Sequence, residues 1–220
     1  MRYIYLFSAC ILVSLQSCSQ EITKSTGPAA ETLPIQFAIT DYFTTNSELD
    51  KRVQTIFDTL SASDRVAQLI MPAIGNHGQQ KEKIDRLIRE GKIGGLLMLN
   101  GTKEEFTTWI NEYNTLNKKN GKLPFLYSAD AEPSLINRKI TNTPPIAKAN
   151  TLKTIEEVRK CAQQISDELN QIGINYNFAP VVDMSPNKTV GWRSFGHEPD
   201  SVIPWSNAFI ETTQRNNVMA

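Results

Sequence analysis

The stretch Gly173–Pro199, GINYNFAPVVDMSPNKTVGWRSFGHEP, indicates the fold more clearly than any other part of the chain. It begins at a glycine of the kind that ends helices and continues through Phe178–Val182, an apolar segment that predicts a buried β-strand. The loop that follows carries four polar residues, Asp183, Asn187, Arg193 and Glu198. Because α/β barrels and open α/β sheets place their sites where buried strands end, this stretch predicts a functional site as well as a strand.

Strand and helix patterns alternate along most of the chain. Apolar strands are predicted at 93–99 and 123–129, with another beginning at Val218. Helices are predicted to begin at Ser47 and near Ser63, the second with Val66, Leu69 and Ile70 facing inward, and to span 81–90, 103–118, 155–172 and 202–215. This alternation predicts a parallel sheet with right-handed crossovers. Because a closed eight-stranded barrel usually needs about 250 residues, we expect an α/β fold of the (β/α)8 TIM-barrel type with only its first half present, or a smaller open sheet.

The overall composition excludes several classes of function. Acidic and basic residues balance at 23 each, so electrostatics gives no reason to expect a nucleic-acid partner. The two histidines, His77 and His197, lie far apart in sequence and do not have the spacing of metal ligands. We therefore expect no metal and no other cofactor.

The N-terminal residues have the pattern of an export signal. A short basic start precedes the apolar run Tyr3–Leu15, which is too short to span a bilayer, and Leu15-Gln16-Ser17-Cys18 resembles a bacterial lipoprotein box. We predict a signal peptide at 1–18 with Cys18 lipidated, a tether and irregular lead-in at 19–46, and the folded domain at 47–220. The protein would be exported and held at a bacterial membrane by the lipid alone, on the periplasmic or cell-surface side. Ordinary secretion, with cleavage near Ser17–Gln20, is the alternative.

Cys161 lies on the apolar face of a predicted helix, which predicts a buried structural thiol.

Polar residues follow each of three predicted buried strands. They are Asn100, Asp130 and Asp183. In a barrel these strand ends converge on one face, so Asp130 and Asp183 would approach the same cleft. The alternative is that Asn and Asp are simply favoured at loop starts and helix N-caps.

Arg193 is the most informative charged residue of the loop, because its planar guanidinium can bind a carboxylate or two hydroxyls in fixed geometry. Trp192 and Phe195 flank it in sequence, so its guanidinium could lie against their rings. A surface pair with Glu198 or Asp200 is the alternative. His197 in the same loop could act as a general base, but no nucleophile stands near it in sequence.

Several segments together resemble the N-terminal barrel domain of glycoside hydrolase family 3, especially its β-N-acetylhexosaminidase branch. The matching segments are Leu60-Ser61, 66–70, 91–95, Asp130-Ala131-Glu132 with Asn137-Arg138, 173–175, 178–183 and 193–196. The resemblance implies that Asp130 binds hydroxyls of the innermost sugar and that Arg138 and Arg193 line the same subsite. Glu132, Asp183 and Glu198 would surround these residues. The family usually has two glycines after the acid that matches Glu132, whereas this chain has Pro133-Ser134, which places the loop path near Arg138 in question.

The resemblance also implies an activity. The family's retaining hydrolysis uses a carboxylate nucleophile and a general acid, and both, with the Lys-His segment before them, are expected beyond Ala220. We therefore expect a truncated glycosidase, a β-N-acetylhexosaminidase acting on terminal N-acetylglucosamine in glycans or peptidoglycan fragments. Residues 21–220 alone should then fold poorly and leave aryl N-acetylglucosaminides intact. The alternatives are a non-catalytic carbohydrate-binding lipoprotein, a β-glucosidase-type member, and a self-contained acid and base formed by Asp130 and Asp183.

Overall fold

The computed structural model describes residues 37–184 and 190–220, all of which belong to one unit. The predicted signal peptide, Cys18 and Asn187 lie outside the described residues. The helices are α1 (Ser47–Thr59), α2 (Ala62–Ala67), α3 (Lys81–Arg89), α4 (Lys103–Lys119), α5 (Ile136–Lys139), α6 (Ile155–Ile172) and α7 (Pro199–Arg215). The strands are β1 (Ala73–Ile74), β2 (Gly95–Met98), β3 (Gly101–Thr102), β4 (Leu126–Ala129), β5 (Ile140–Thr141) and β6 (Tyr176–Asn177).

The main sheet has four parallel strands in the order β1, β2, β4, β6. Helices α3, α4 and α6 connect each strand of this sheet to the next one. The spatial order follows the chain order without a reversal, as in a barrel, whereas a doubly wound sheet reverses at a switch point. The α/β fold of partial (β/α)8-barrel type is therefore confirmed. Met219 adds a single parallel bridge to Tyr176, where the sequence predicts the start of another strand.

The helices that cover the sheet lie where the apolar periodicity predicts them. Helix α6 has the predicted bounds, with Thr154 as its N-cap and Gly173 ending it at φ +95°, a left-handed conformation that favours glycine. Cys161 is buried in the core that α6 forms with the sheet, as predicted. Burial raises the pKa of its thiol to about 12, so the thiol stays protonated and unreactive at neutral pH.

The strand predicted at Phe178–Val182 is wrong. The strand lies earlier, at Tyr176–Asn177. Its hydrogen-bond ladder with β4 ends where the Phe178 N–H donates to the Ala129 carbonyl at 2.8 Å. Pro180 has no N–H with which to extend a ladder, which explains why pairing stops before it. The predicted strands at 93–99 and 123–129 are confirmed in shortened form as β2 and β4.

The inward orientation predicted for Val66, Leu69 and Ile70 is also wrong. These side chains are exposed by 58%, 86% and 45%. Helix α2 ends at Ala67, its one buried residue, so Val66 lies on an exposed side of the helix, and Leu69 and Ile70 lie beyond its helical period. Helix α1 begins at Ser47 as predicted, and Asn46 is its N-cap.

Candidate functional site

Asn177 fixes the backbone at the carboxyl edge of the sheet. Its side chain accepts a hydrogen bond from the Ala131 N–H at 3.0 Å and donates one to the Ala131 carbonyl at 3.2 Å. Ala131 stands between Asp130 and Glu132, directly after β4. A buried amide that satisfies both backbone groups of one residue holds that residue in a single position. The segment that carries the two acids is therefore fixed by the neighbouring strand.

Glu132 and Arg193 form a bidentate ion pair between the segment after β4 and the loop before α7. The Arg193 Nε lies 2.5 Å from Glu132 Oε1, and Nη2 lies 2.9 Å from Oε2. The Glu132 side chain is 1% exposed and that of Arg193 is 27% exposed, so the carboxylate is sealed and the guanidinium faces the surface. Two parallel bonds of this kind fix both the position and the plane of the guanidinium.

The charges of Asp130 and Asp183 also act on the Arg193 guanidinium. The hydrogen bonds that Arg193 donates to Glu132 raise the pKa of Arg193 above its usual value, and the charges of Asp130 and Asp183 raise it further. Asp130 is partly exposed, and its Oδ2 lies 3.5 Å from the Lys139 Nζ. The Asp183 side chain is exposed, while its carbonyl accepts a hydrogen bond from Ser194 Oγ at 2.5 Å. The structure therefore pairs Arg193 with Glu132 and leaves it within range of the charges of Asp130 and Asp183.

Two other predicted site residues are not drawn into this cluster. Arg138 lies on α5 with an exposed side chain, and in the described ranges it forms no ion pair. Glu198 is exposed at the N-cap of α7, where its side chain makes no capping hydrogen bond. Their roles at the site stay predictions.

The predicted packing of Arg193 against aromatic rings is wrong. It is the Lys148 Nζ that lies over the Trp192 ring, at 5.8 Å from its centroid. Phe195 is buried and packs instead against Trp205 and Phe209 of α7. The alternative of a surface pair with Glu198 or Asp200 is also wrong, because the partner of Arg193 is the buried Glu132. A buried carboxylate requires a charged partner, and this requirement outweighs ring packing.

The Pro133-Ser134 departure gives the site loop an additional link. The Ser134 hydroxyl donates to the Trp192 carbonyl at 3.1 Å and accepts from the Ala149 N–H at 3.0 Å. One side chain, which two glycines could not supply, therefore connects three loops. It also anchors the residue directly before Arg193.

Sequence reasoning missed Asn177, Ser134 and Lys139. A signal for Asn177 was present, because Asn175 and Asn177 stand two residues apart and therefore on one face of a strand. Asn175 likewise fixes backbone groups at the other end of the strand. Its side chain accepts from the Tyr127 N–H at 2.9 Å and donates to the Phe125 carbonyl. Ser134 stood out only as part of the departure from the family's two glycines, and no sequence signal distinguished Lys139 from ordinary polar residues of a short helix.

Replacing Asn177 with Ala is expected to lower stability by about 2 kcal/mol, because both backbone groups of Ala131 lose their partner. It should also weaken any ligand that Asp130 binds, since the segment holding that carboxylate is released. Asn175→Ala is the matched control, since it removes a similar pair of bonds at the other end of the strand. Chemical unfolding and ligand titration should show comparable stability losses but a binding loss for Asn177→Ala alone. Equal binding losses would contradict a positioning role.

The arrangement suits a neutral ligand rich in hydroxyl groups. It offers a fixed guanidinium with donors left over, a carboxylate with a free oxygen, and an ammonium beside that carboxylate. Charged donors and acceptors of this kind form the stronger class of hydrogen bond. Within residues 37–184 and 190–220, no group of three His, Cys, Asp or Glu side chains is placed to hold a metal ion.

Comparisons with known proteins place the chain in a family. The model of the glycosyl hydrolase family 3 N-terminal domain matches residues 61–220. The β-hexosaminidase LpqI of Mycobacterium tuberculosis is 29% identical over 160 residues, which cover 69% of this chain and 39% of that protein. A β-hexosaminidase of Actinobacillus pleuropneumoniae serotype 5b is 33% identical over 99 residues, which cover 41% of this chain and 29% of that protein.

Solved structures agree on the fold. A glycoside hydrolase family 3 β-N-acetylglucosaminidase from a Paenibacillus species superposes with a TM-score of 0.64 at 23% identity, covering 73% of this chain and 32% of the other. This chain thus spans less than half the length of these relatives. At such identity the superposition shows the shared fold, while activity is inferred separately.

Proposed function

Because this chain belongs to glycosyl hydrolase family 3, we propose that the protein hydrolyses O-glycosidic bonds as a β-N-acetylhexosaminidase. In this proposal its described residues bind the terminal N-acetylglucosamine of a glycan or peptidoglycan fragment. The substrate is the expected partner, and no nucleic acid takes part. The two sequence relatives are both β-hexosaminidases, which supports this substrate class over glucosides.

The observation that carries the proposal is the cluster formed by Asp130, Glu132 and Arg193 at the carboxyl edge of the sheet. Enzymes with this fold place their sites at that edge. The bidentate pair with Glu132 holds the Arg193 guanidinium in place, so its remaining donors are aimed before any ligand arrives. Asp130 adds a hydrogen-bond acceptor. Because its backbone segment is already fixed, sugar binding loses little conformational entropy there. We assign Asp130 and Arg193 to the sugar hydroxyls, with Arg138 at the edge of the same subsite.

The proposed chemistry is retaining hydrolysis, in which one carboxylate attacks the anomeric carbon and an acid protonates the leaving oxygen. Asp130, Arg138 and Arg193 have a different role in this proposal, which is to bind the sugar. Glu132 is sealed behind Arg193 and cannot reach a substrate. Asp183 and Glu198 have exposed side chains.

We also propose export and lipid anchoring through Cys18, with a tether at 19–46 leading to the domain at 47–220. The support is the basic start, short apolar run and Leu-x-Ser-Cys ending of the sequence. In the part of the chain that the structure describes, no helix combines the length and apolar composition needed to cross a bilayer. Membrane attachment in this proposal depends on the lipid.

Titration of the protein with N-acetylglucosamine tests the proposal, with glucose as the competitor that distinguishes the two sugar classes. Saturable binding of N-acetylglucosamine, with weaker binding of glucose, is the expected result in calorimetry. Robust turnover of an aryl N-acetylglucosaminide by residues 21–220, measured in parallel, would show that these residues do more than hold the sugar. Preference for glucose, or no saturable binding of either sugar, would contradict the proposal.

A further inference from the structure

We propose that Lys139 is a further substrate-binding residue, which donates to the same sugar hydroxyl that bonds to Asp130. The inference rests on the proposed sugar-binding function and extends it to a residue outside the motif that carries the family resemblance. The Lys139 Nζ lies 3.5 Å from Asp130 Oδ2, so the two groups face one small region at the carboxyl edge of the sheet.

The Lys139 ammonium has donors to spare. An ammonium carries three donors, and among the described residues its Nζ makes no side-chain hydrogen bond beyond the ion pair with Asp130. The two side chains are 25% and 31% exposed, so both are partly accessible and neither is sealed. A ligand that reaches Asp130 therefore comes within range of Lys139.

The position of Lys139 is fixed by its neighbours rather than by its own flexible stem alone. The side chain of Asn137 binds the 143–146 loop, accepting from the Ile146 N–H at 2.9 Å and donating to the Pro144 carbonyl at 2.7 Å. Ile140 is fully buried and pairs with Gly101 in the small sheet of β3 and β5. The last residue of α5 is thus anchored on both sides.

Arg193 has only part of its hydrogen-bond donors available for a sugar. Two of its donor groups, Nε and Nη2, already bind Glu132. A sugar hydroxyl can donate to a carboxylate and accept from a cation at the same time. Asp130 supplies the acceptor for such a hydroxyl, and Lys139 is the cation placed within 3.5 Å of that acceptor.

A direct contact and a purely structural role differ in their dependence on the Asp130 carboxylate. If Lys139 bonds to the sugar hydroxyl itself, its removal weakens binding further in a protein that already carries Asp130→Asn. If Lys139 only orders Asp130, its removal causes no further loss in that background. A panel of deoxy sugars identifies the shared hydroxyl, and the Asp130→Asn background separates the two roles.

The experiment compares the unmodified protein with Lys139→Met, with Asp130→Asn alone and combined with Lys139→Met, and with Lys160→Met as a control on the exposed face of α6. Each is titrated with N-acetylglucosamine and with its 3-, 4- and 6-deoxy analogues. We expect Lys139→Met to bind N-acetylglucosamine about tenfold more weakly, from the loss of one charge-assisted hydrogen bond. The loss should disappear for one analogue, and Lys160→Met should bind like the unmodified protein.

Two results would overturn the role of Lys139 while leaving the proposed function intact. One is unchanged binding by Lys139→Met, and the other is no further weakening when Lys139→Met is added to Asp130→Asn. Absence of sugar binding by the unmodified protein would overturn the proposed function and the role of Lys139 together. Unfolding curves of all the variants show whether any loss of binding reflects a loss of folded protein.

Discussion

Replacement of Arg193 with Met is expected to destabilise the fold by about 3 kcal/mol, because it leaves the carboxylate of Glu132 buried and unpaired. For a domain of this size such a loss lowers the midpoint of thermal unfolding by about 6–12 °C. Sugar binding should be lost as well, since the donors at the centre of the cluster disappear. Thermal unfolding followed by circular dichroism measures the first effect, and sugar titration well below the new midpoint measures the second.

Two further variants show whether burial of the pair causes this loss. Arg215→Met breaks an exposed ion pair with Glu211, so it should change stability by only about 0.5 kcal/mol or less. Combining Arg193→Met with Glu132→Gln removes the unpaired charge and should restore part of the lost stability. A double variant no more stable than Arg193→Met would show that the buried charge is not the cause.

Asp130→Asn is expected to weaken the binding of N-acetylglucosamine about thirtyfold, because the sugar hydroxyls lose a charged acceptor worth about 2 kcal/mol. Stability should change little, since Asp130 is partly exposed and its ion pair with Lys139 is long, at 3.5 Å. Calorimetric titration measures the affinity and chemical unfolding measures the stability.

Asp183→Asn is the matched comparison for this second variant. The Asp183 side chain is exposed, and the site uses its backbone carbonyl, which the substitution keeps. We expect its affinity to change by about twofold or less. A larger loss for Asp183→Asn than for Asp130→Asn would return Asp183 to the centre of the site.

The helices and the parallel sheet could be predicted from the sequence because apolar periodicity reports burial directly. The face of α6 and its stop at Gly173 were both visible as spacing. The strand beside Asp183 was misplaced, because an apolar run containing Pro180 does not show where ladder pairing ends. Burial after α2 was misjudged for a related reason, since a six-residue helix is too short for its period to predict the residues beyond it.

The site was predictable in its members but not in their pairings. Asp130 could be found as a polar residue after a buried strand, and Arg193 as an arginine in the loop that ends this βα unit. Their actual partners, Lys139 and Glu132, depend on which loops the fold brings into contact. Glu132 and Arg193 are 61 residues apart in the chain. Local sequence patterns extend over a few turns of helix or strand, so they carry no information on such a pair.

The most direct test of the central claim follows the titration of the unmodified protein with N-acetylglucosamine residue by residue, through its backbone amide resonances. If the cluster binds the sugar, the amides of Asp130, Ala131 and Arg193 should shift together and saturate along one binding curve. The groove of about 500 Å³ between α3 and α4, lined by Lys81, Glu112 and Leu116 among others, should remain unperturbed. Saturable shifts at that groove with none at Asp130 and Arg193 would contradict the account.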